Sequence, residues 1–156
     1  MSVQDEVEAS VPRLAEAAIA DDIGLLLAKL HAAGSVLNNR TLAAFELRER
    51  SYSVLRLACS GLEPTQRELA DFLSLDPSQI VALVDELEGR GLVTREQGRT
   101  DRRQKIVLAT PEGASVHAAA EAAVAASEAE TLSALAPSET VTLRSLLRKA
   151  LWSGAA

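Results

Sequence analysis

The feature that most constrains the fold is a pair of helix-start signals close together in the middle of the chain. Thr65 is followed three residues later by Glu68, the pattern of a capping box in which each side chain accepts a hydrogen bond from the other residue's backbone N–H. A second box begins at Asp76, with Pro77 in the first helical position and Gln79 as the returning side chain. Two helices must therefore start within a short stretch.

These signals predict a short helix over 66–73 and a longer helix over 77–90, with Gly91 as its stop. Two helices joined by a tight turn are typical of a helix-turn-helix. Two short runs suited to strands follow, 92–96 and 105–108, and a polar loop containing glycine separates them, which predicts a β-hairpin. Since a hairpin directly behind a helix-turn-helix makes a winged helix, we expect a mainly α fold with a two-stranded β-wing.

Charge is segregated onto this hairpin. The chain has a net charge of −6, which excludes a uniformly basic nucleic-acid binder. Between residues 89 and 105 there are nevertheless six cations and two anions, a local excess of +4. The cations are Arg90, Arg95, Arg99, Arg102, Arg103 and Lys105. Charge alone suits either a solvated loop or a surface for phosphates, and the preceding helix pair favours DNA.

The longer helix has two distinct faces. Its apolar stripe, expected to pack on the core, consists of Ile80, Leu83, Val84 and Leu87. The opposite face carries Ser78 and Gln79, which can hydrogen-bond base edges, and Val81 and Ala82, which can touch thymine methyl groups. Asp85 and Glu86 are unfavourable next to phosphates. Either they lie clear of the DNA backbone, or an arginine of the wing neutralises one of them.

Helical periodicity extends over both ends of the chain. An amphipathic run over 47–59 directs Val54, Leu55 and Ala58 inward, an Ala-rich helix is predicted from Pro111 to about Leu135, and Pro137 breaks it. The first part of the chain is expected to form two helical pieces, the second ending at Asn38-Asn39. Their apolar positions are Val3, Val7, Val11, Leu14 and Ala18, then Ile23, Leu26, Leu27, Leu30 and Leu37.

The last helix carries Leu143, Leu146, Leu147, Ala150 and Leu151 on one face. A small winged-helix lobe cannot cover so many apolar side chains, which indicates that they are buried between two chains. We therefore expect a single domain over 1–156, with N-terminal dimerisation helices in 1–46, the winged helix-turn-helix in 47–110 and C-terminal dimerisation helices in 111–156.

The amino-acid composition and the absence of certain motifs exclude several other functions. One cysteine cannot form an intrachain disulfide or a Cys-based zinc finger, and 3% aromatic residues offer no platform for stacking single-stranded bases. No nucleophile–base pair and no metal-ligand spacing is found, so neither an enzyme, a metal site nor a cofactor is expected. No signal peptide and no apolar run of ~20 residues is seen, which predicts no membrane segment and a cytoplasmic location.

Four ordered segments resemble the MarR family of bacterial transcriptional regulators. They are Thr65-Gln66-Arg67-Glu68-Leu69-Ala70; Leu75-Asp76-Pro77-Ser78-Gln79-Ile80 with Leu83-Val84-Asp85-Glu86-Leu87-Glu88; Gly91-Leu92-Val93; and Asp101-Arg102-Arg103 with Ala109-Thr110-Pro111-Glu112-Gly113. The resemblance implies a triangular homodimer whose terminal helices form the interface and whose winged helices each read half of a palindromic operator. Two positions depart from the pattern: Glu86, where a basic residue is frequent, and Ala109, where a larger aliphatic residue is frequent.

The resemblance also assigns roles to residues. In the wing, the arginine corresponding to Arg103 enters the minor groove while the aspartate corresponding to Asp101 holds it. The predicted DNA contacts are Thr65, Gln66, Ser78, Gln79, Val81, Ala82, Arg90, Arg99, Asp101, Arg102 and Arg103. The family commonly binds a small effector between its dimerisation helices and its DNA-binding lobe. By position, the candidate effector-binding residues are Leu27, His31, Tyr52, Arg56 and Cys59, although Cys59 on its own is typical of a plain buried thiol.

The expected function is thus a sequence-specific DNA-binding regulator, a repressor released by a small molecule. The alternative is a winged helix that binds protein, or a dimeric scaffold, without DNA. The net charge of −6 and the acidic Glu86 favour that alternative.

Overall fold

The computed structural model describes residues 12–98 and 101–153, and within them it contains six α-helices and one two-stranded antiparallel sheet. In chain order these are α1 (Ile23–Leu42), α2 (Glu49–Ala58), α3 (Gln66–Leu73), α4 (Pro77–Gly89), β1 (Val93–Gln97), β2 (Lys105–Ala109), α5 (Pro111–Thr131) and α6 (Pro137–Trp152). The predicted mainly α fold with a β-wing is confirmed. No helix in these ranges is long and apolar enough to cross a membrane.

Both predicted capping boxes are formed. The backbone N–H of Glu68 donates to Thr65 Oγ1 over 3.2 Å, and the N–H of Thr65 donates to Glu68 Oε2 over 2.8 Å. At the second box, the N–H of Ser78 donates to Asp76 Oδ1 over 2.8 Å and the N–H of Asp76 donates to Gln79 Oε1 over 3.2 Å. Hydrogen bonds donated to the two carboxylates favour their charged forms and hold their pKa values below the usual range. The backbone N–H and hydroxyl of Thr65 act on Glu68, and the hydroxyl and backbone N–H of Ser78 act on Asp76.

The core joins the helix-turn-helix to the wing. The predicted inward face of α4 is confirmed, since Ile80, Val84 and Leu87 are fully buried and Leu83 is partly buried. These side chains share one cluster with apolar residues of α2 and the sheet, which include Val54, Leu55, Val93 and Val107. Helix α4 is therefore held in place by its inner face, which leaves its outer face in solvent.

The wing is tied directly to the start of α3. Within the hairpin, Val93 pairs with Ala109 and Gln97 with Lys105. On the other side of β2, the N–H of Val107 donates to the carbonyl of Pro64 over 2.8 Å. The wing and the helix-turn-helix are therefore joined by a backbone hydrogen bond as well as by the shared core.

Gly113 allows α5 to start close against the wing. A Cβ built at this residue would lie 1.9 Å from the carbonyl oxygen of Leu92, so no side chain fits there. Thr110 caps the same helix, because its Oγ1 accepts from the N–H of Gly113 and donates to the carbonyl of Gly91. The predicted cap at Thr110 is confirmed, and its bond to Gly91 joins the start of α5 to the turn between α4 and the wing.

The prediction that the second helical piece ends at Asn38-Asn39 is wrong, because α1 continues to Leu42. Both amides instead have partners across the fold. Asn39 Oδ1 accepts from the N–H of Glu49 over 2.9 Å, at the start of α2, and Asn38 Oδ1 accepts from the hydroxyl of the buried Ser127. Tertiary hydrogen bonds have overridden the local preference of asparagine for helix ends.

Other boundaries also differ from expectation. Residues 13–16 and 18–21 form two short 3-10 turns instead of an α-helix, while Val3, Val7 and Val11 lie outside the described residues. Helix α5 ends at Thr131, short of Leu135, and Pro137 opens α6 from its first turn. A run of alanines carries little apolar patterning, so its length was a weak guide to where the helix stops.

Helices α1 and α6 expose apolar faces to solvent. Helix α6 has no buried residue among those described; Arg144 bonds to Glu128 of α5 over 2.9 Å, and Trp152 stacks on Phe72 of α3 at 6.4 Å between ring centroids. The exposed apolar side chains of these two helices include Ile23, Leu26, Leu27, Leu30, Val141, Leu146 and Leu151. A single chain leaves this surface uncovered.

Candidate nucleic-acid interface

The outer face of α4 presents hydrogen-bonding groups with a defined direction. Ser78, Gln79, Val81 and Ala82 are all exposed. The Ser78 hydroxyl donates to Asp76, so its oxygen lone pairs are left to accept. Gln79 uses its Oε1 in the capping box, so its NH₂ group is left to donate. The capping box thereby fixes which polarity each side chain offers to a neighbouring molecule.

The start of α3 lies beside this face. The Thr65 hydroxyl donates to Glu68, and the Oε1 of Gln66 accepts from the Nε of Arg95 over 2.8 Å. Thr65 and Gln66 are both partly buried. The two predicted contacts at the start of α3 therefore take part in intramolecular hydrogen bonds.

The tip of the wing differs from the expected geometry. An extended chain through this motif would place the Asp101 and Arg103 side chains on one side of a strand, but Arg102 and Arg103 instead lie in a turn. The Asp101 carboxylate accepts from the backbone N–H of Arg103 over 2.9 Å, and the Asp101 carbonyl accepts from the N–H of Gln104 over 3.1 Å. Asp101 thus shapes the turn that carries the arginine, as aspartate side chains do at turns.

The cations of the wing are not equivalent. Arg102, Arg103 and Lys105 are exposed on the hairpin, whereas the predicted contact Arg99 lies outside the described residues. Arg90 is half-buried, and its guanidinium donates to the carbonyls of Phe45 and Glu46 over 3.0 and 2.6 Å. The Arg90 guanidinium is therefore used in hydrogen bonds within the chain. Its contact with DNA stays a prediction.

Arg95 forms a network that the sequence analysis missed. It lies on β1 with only 15% of its side chain exposed and forms ion pairs with Asp85 and Glu88 of α4. Asp85 and Glu86 were expected either to lie clear of the DNA backbone or to have one of them neutralised by a wing arginine. Arg95 does neutralise Asp85, while Glu86 is exposed on the same helix. The available signal was the position of Arg95 directly behind the helix that carries two unexplained carboxylates.

The five effector-binding candidates do not line one cavity. Arg56 pairs with Glu121 at 3.3 Å and lines a groove of about 530 Å³ between α2, α5 and the start of α6. His31 lines a second groove, of about 960 Å³, between α1 and the start of α2. Leu27 is exposed on α1.

The other two candidates are more deeply placed. Tyr52 is buried and stacks on His117 with ring centroids 5.9 Å apart, and burial raises the pKa of its hydroxyl, an effect that the nearby Arg56 opposes. Burial also raises the pKa of the half-buried Cys59, which disfavours the reactive thiolate. This is the environment of a structural cysteine. In the described ranges, no cluster of His, Cys, Asp and Glu could hold a metal ion.

Comparison with known proteins identifies the protein family. The MarR family model matches residues 47–105. A MarR-family transcriptional regulator from Rhodococcus sp. RHA1 shares 40% identity and has a TM-score of 0.83, covering 88% of this chain and 97% of that one. CouR from Rhodococcus jostii RHA1, solved bound to p-coumaroyl-CoA, shares 41% identity with a TM-score of 0.79 and coverage of 87% and 96%.

A third relative is a Thauera aromatica protein provisionally described as the transcriptional regulatory protein for the hcr operon, which is 33% identical over 98 residues. That match spans 63% of this chain and 59% of the relative. The two Rhodococcus structures, by contrast, are matched over nearly their whole length and include the terminal helices as well as the winged helix. The chain therefore belongs to the MarR family of transcriptional regulators.

Proposed function

We propose that this chain is a homodimeric repressor that binds a palindromic operator in the cytoplasm and leaves it when a small effector binds. The observation that carries the proposal is the exposed outer face of α4 beside an exposed cationic wing that shares its core. A helix of this width fits the major groove of B-DNA, and the wing then reaches the flanking phosphates and minor groove. The exposed apolar faces of α1 and α6 supply the surface for a second copy.

The polarity fixed by the capping box suggests how α4 reads bases. The NH₂ group of Gln79 suits an acceptor such as guanine O6 or N7, and the Ser78 oxygen suits a base amino group. Val81 and Ala82 offer apolar contact to thymine methyl groups. Two such helices on one side of the duplex require half-sites about one helical turn apart, ~10–10.5 base pairs.

Gln79→Ala is expected to lower operator affinity about tenfold more than affinity for random DNA, because a base contact is lost. The comparison uses titrations of the operator and of a random duplex of equal length. Gln79→Glu is the matched variant, since it keeps the acceptor of the capping box and removes the NH₂ donor. It should lose the same discrimination without a change in thermal stability. Equal losses of affinity for the operator and for the random duplex would show that Gln79 does not contact a base.

We further propose that the effector is an aromatic acyl thioester of coenzyme A. CouR, at 41% identity, was solved with p-coumaroyl-CoA. The groove of about 960 Å³ in this chain is lined by three arginines, Arg40, Arg48 and Arg50, whose guanidinium groups suit the phosphates of such a ligand. Three glutamates, Glu46, Glu49 and Glu86, also line it, so the arginines must bind the phosphates against opposing charge. Adding p-coumaroyl-CoA should release the operator, while free p-coumarate and free coenzyme A at the same concentration should not. Release by p-coumarate alone would contradict the thioester class.

The alternative of a protein-binding or scaffold winged helix has its own test. A gel shift with the DNA flanking the chain's own gene, with unlabelled random competitor, should give a complex that survives the competitor. A dimer that shifts no DNA would support the scaffold instead.

A further inference from the structure

Arg95 joins three elements at the centre of the DNA-facing lobe. From β1, its Nη1 and Nη2 bond to the carboxylates of Glu88 and Asp85 on α4, and its Nε donates to Gln66 Oε1 on α3 over 2.8 Å. Its Nη2 also lies 3.5 Å from the carbonyl oxygen of Val81. All three guanidinium nitrogens therefore have partners within the chain.

The chemistry of arginine fixes the orientation of Gln66. A guanidinium has only donors, so Gln66 must turn its carbonyl oxygen towards Arg95. The NH₂ group of Gln66 is then the part of the amide left for another molecule, at the first residue of α3. A group that only donates suits the phosphate oxygens of DNA, which only accept.

The same guanidinium changes the electrostatics of α4. Asp85 and Glu88 would otherwise place two carboxylates beside the reading face, and Asp85 keeps 61% of its side chain exposed. Only 15% of the Arg95 side chain is exposed, so its charge pairs with these two carboxylates and does not face DNA. Without it, the helix would approach the duplex with uncompensated negative charge.

From this geometry we propose that Arg95 is a positioning residue for DNA binding: it neutralises Asp85 and Glu88 and sets Gln66 as a donor to a phosphate. The inference rests on the proposed DNA-binding function. Arg95 is largely buried and is not predicted to touch DNA. It would nevertheless control two parts of the chain that are predicted to touch DNA, the outer face of α4 and Gln66.

The test uses the full-length chain and measures dissociation constants for the operator and for a random duplex, together with thermal unfolding. Arg95→Met should weaken binding to both duplexes about tenfold, the scale of a lost phosphate contact with added repulsion. Adding Asp85→Asn and Glu88→Gln to Arg95→Met should restore about twofold of this loss, the part due to the repelling charges, and leave the part due to Gln66.

A double-mutant cycle isolates the role of Gln66. Gln66→Ala should weaken binding about fivefold in the wild-type background and have no further effect beside Arg95→Met. An equal effect of Gln66→Ala in both backgrounds would overturn the positioning of Gln66. If Arg95→Met fails to fold, Arg95→Lys carries the same cycle, because lysine keeps the charge but cannot reach three partners with a planar fork.

Other outcomes decide against the proposal in recognisable ways. If Arg95 touched a phosphate itself, the salt slope of Arg95→Met would fall by about one. If its role were only structural, Arg95→Met would lower the unfolding temperature and leave the affinity of the folded protein unchanged. A wild-type chain that binds no duplex would overturn the proposed function itself, whereas wild-type affinity in Arg95→Met would overturn only the role of Arg95.

Discussion

Leu147→Asp is expected to convert a dimer into monomers and to lower operator affinity roughly a hundredfold or more, since two linked half-site contacts become one. Leu147 lies in the stripe of α6 that also carries Leu143 and Leu151; Leu143 and Leu147 are only partly buried within the chain, and Leu151 is exposed. Covering such a leucine in an interface contributes roughly 1.5–3 kcal/mol, which is lost when aspartate replaces it, and the new charge would also be desolvated. Sedimentation at micromolar concentration measures the change directly, because one chain weighs 16.5 kDa.

Ser145→Asp is the matched control for this prediction. It adds the same charge to the same helix, but position 145 lies about 200° around the helix from position 147, and Ser145 is exposed. The control should remain a dimer with wild-type operator affinity. A Leu147→Asp protein that stays dimeric would show that α6 is not the interface, and Leu26→Asp on the exposed stripe of α1 would then locate it.

The features that could be predicted from the sequence are those determined by neighbouring residues. Helices α3 and α4 begin where Thr65 and Asp76 indicate, because a capping box needs only residues three apart. The inward face of α4 follows from helical periodicity for the same reason. In both cases the packing of the rest of the fold favours the same structure as the local sequence does.

The features that could not be predicted depend on partners distant in sequence. Asn39 looked like a helix stop, yet it accepts from the backbone of Glu49 across a turn. Arg95 looked like one of six equivalent cations, although the hairpin register and the crossing of α3 and α4 bring it to three partners at once. Residue type indicated charge at these positions, while only the packing of the elements shows how each charge is used.

Arg103→Ala is expected to weaken binding to operator and random DNA alike, about thirtyfold at low salt, and to reduce the salt slope by about one. Arg103 is exposed in the turn of the wing, and its guanidinium remains charged at any relevant pH. A narrow minor groove concentrates negative potential, so an inserted arginine gains affinity without reading a unique base. Titrations over a range of salt concentrations measure both effects, and an unchanged slope would show that Arg103 stays in solvent.

Two variants of Asp101 separate turn geometry from charge. The Asp101 Oδ1 accepts from the Arg103 N–H, and a Cβ at Gly98 would lie 2.7 Å from the Asp101 carbonyl, so this turn is closely packed. Asp101→Ala removes the acceptor and should weaken DNA binding even though it also removes a negative charge. Asp101→Asn keeps an acceptor oxygen in the same place and loses the charge, so it should bind at least as tightly as wild type. If Asp101→Ala bound more tightly than wild type with its fold intact, the carboxylate would act only as a repelling charge, and the turn would hold Arg103 without it.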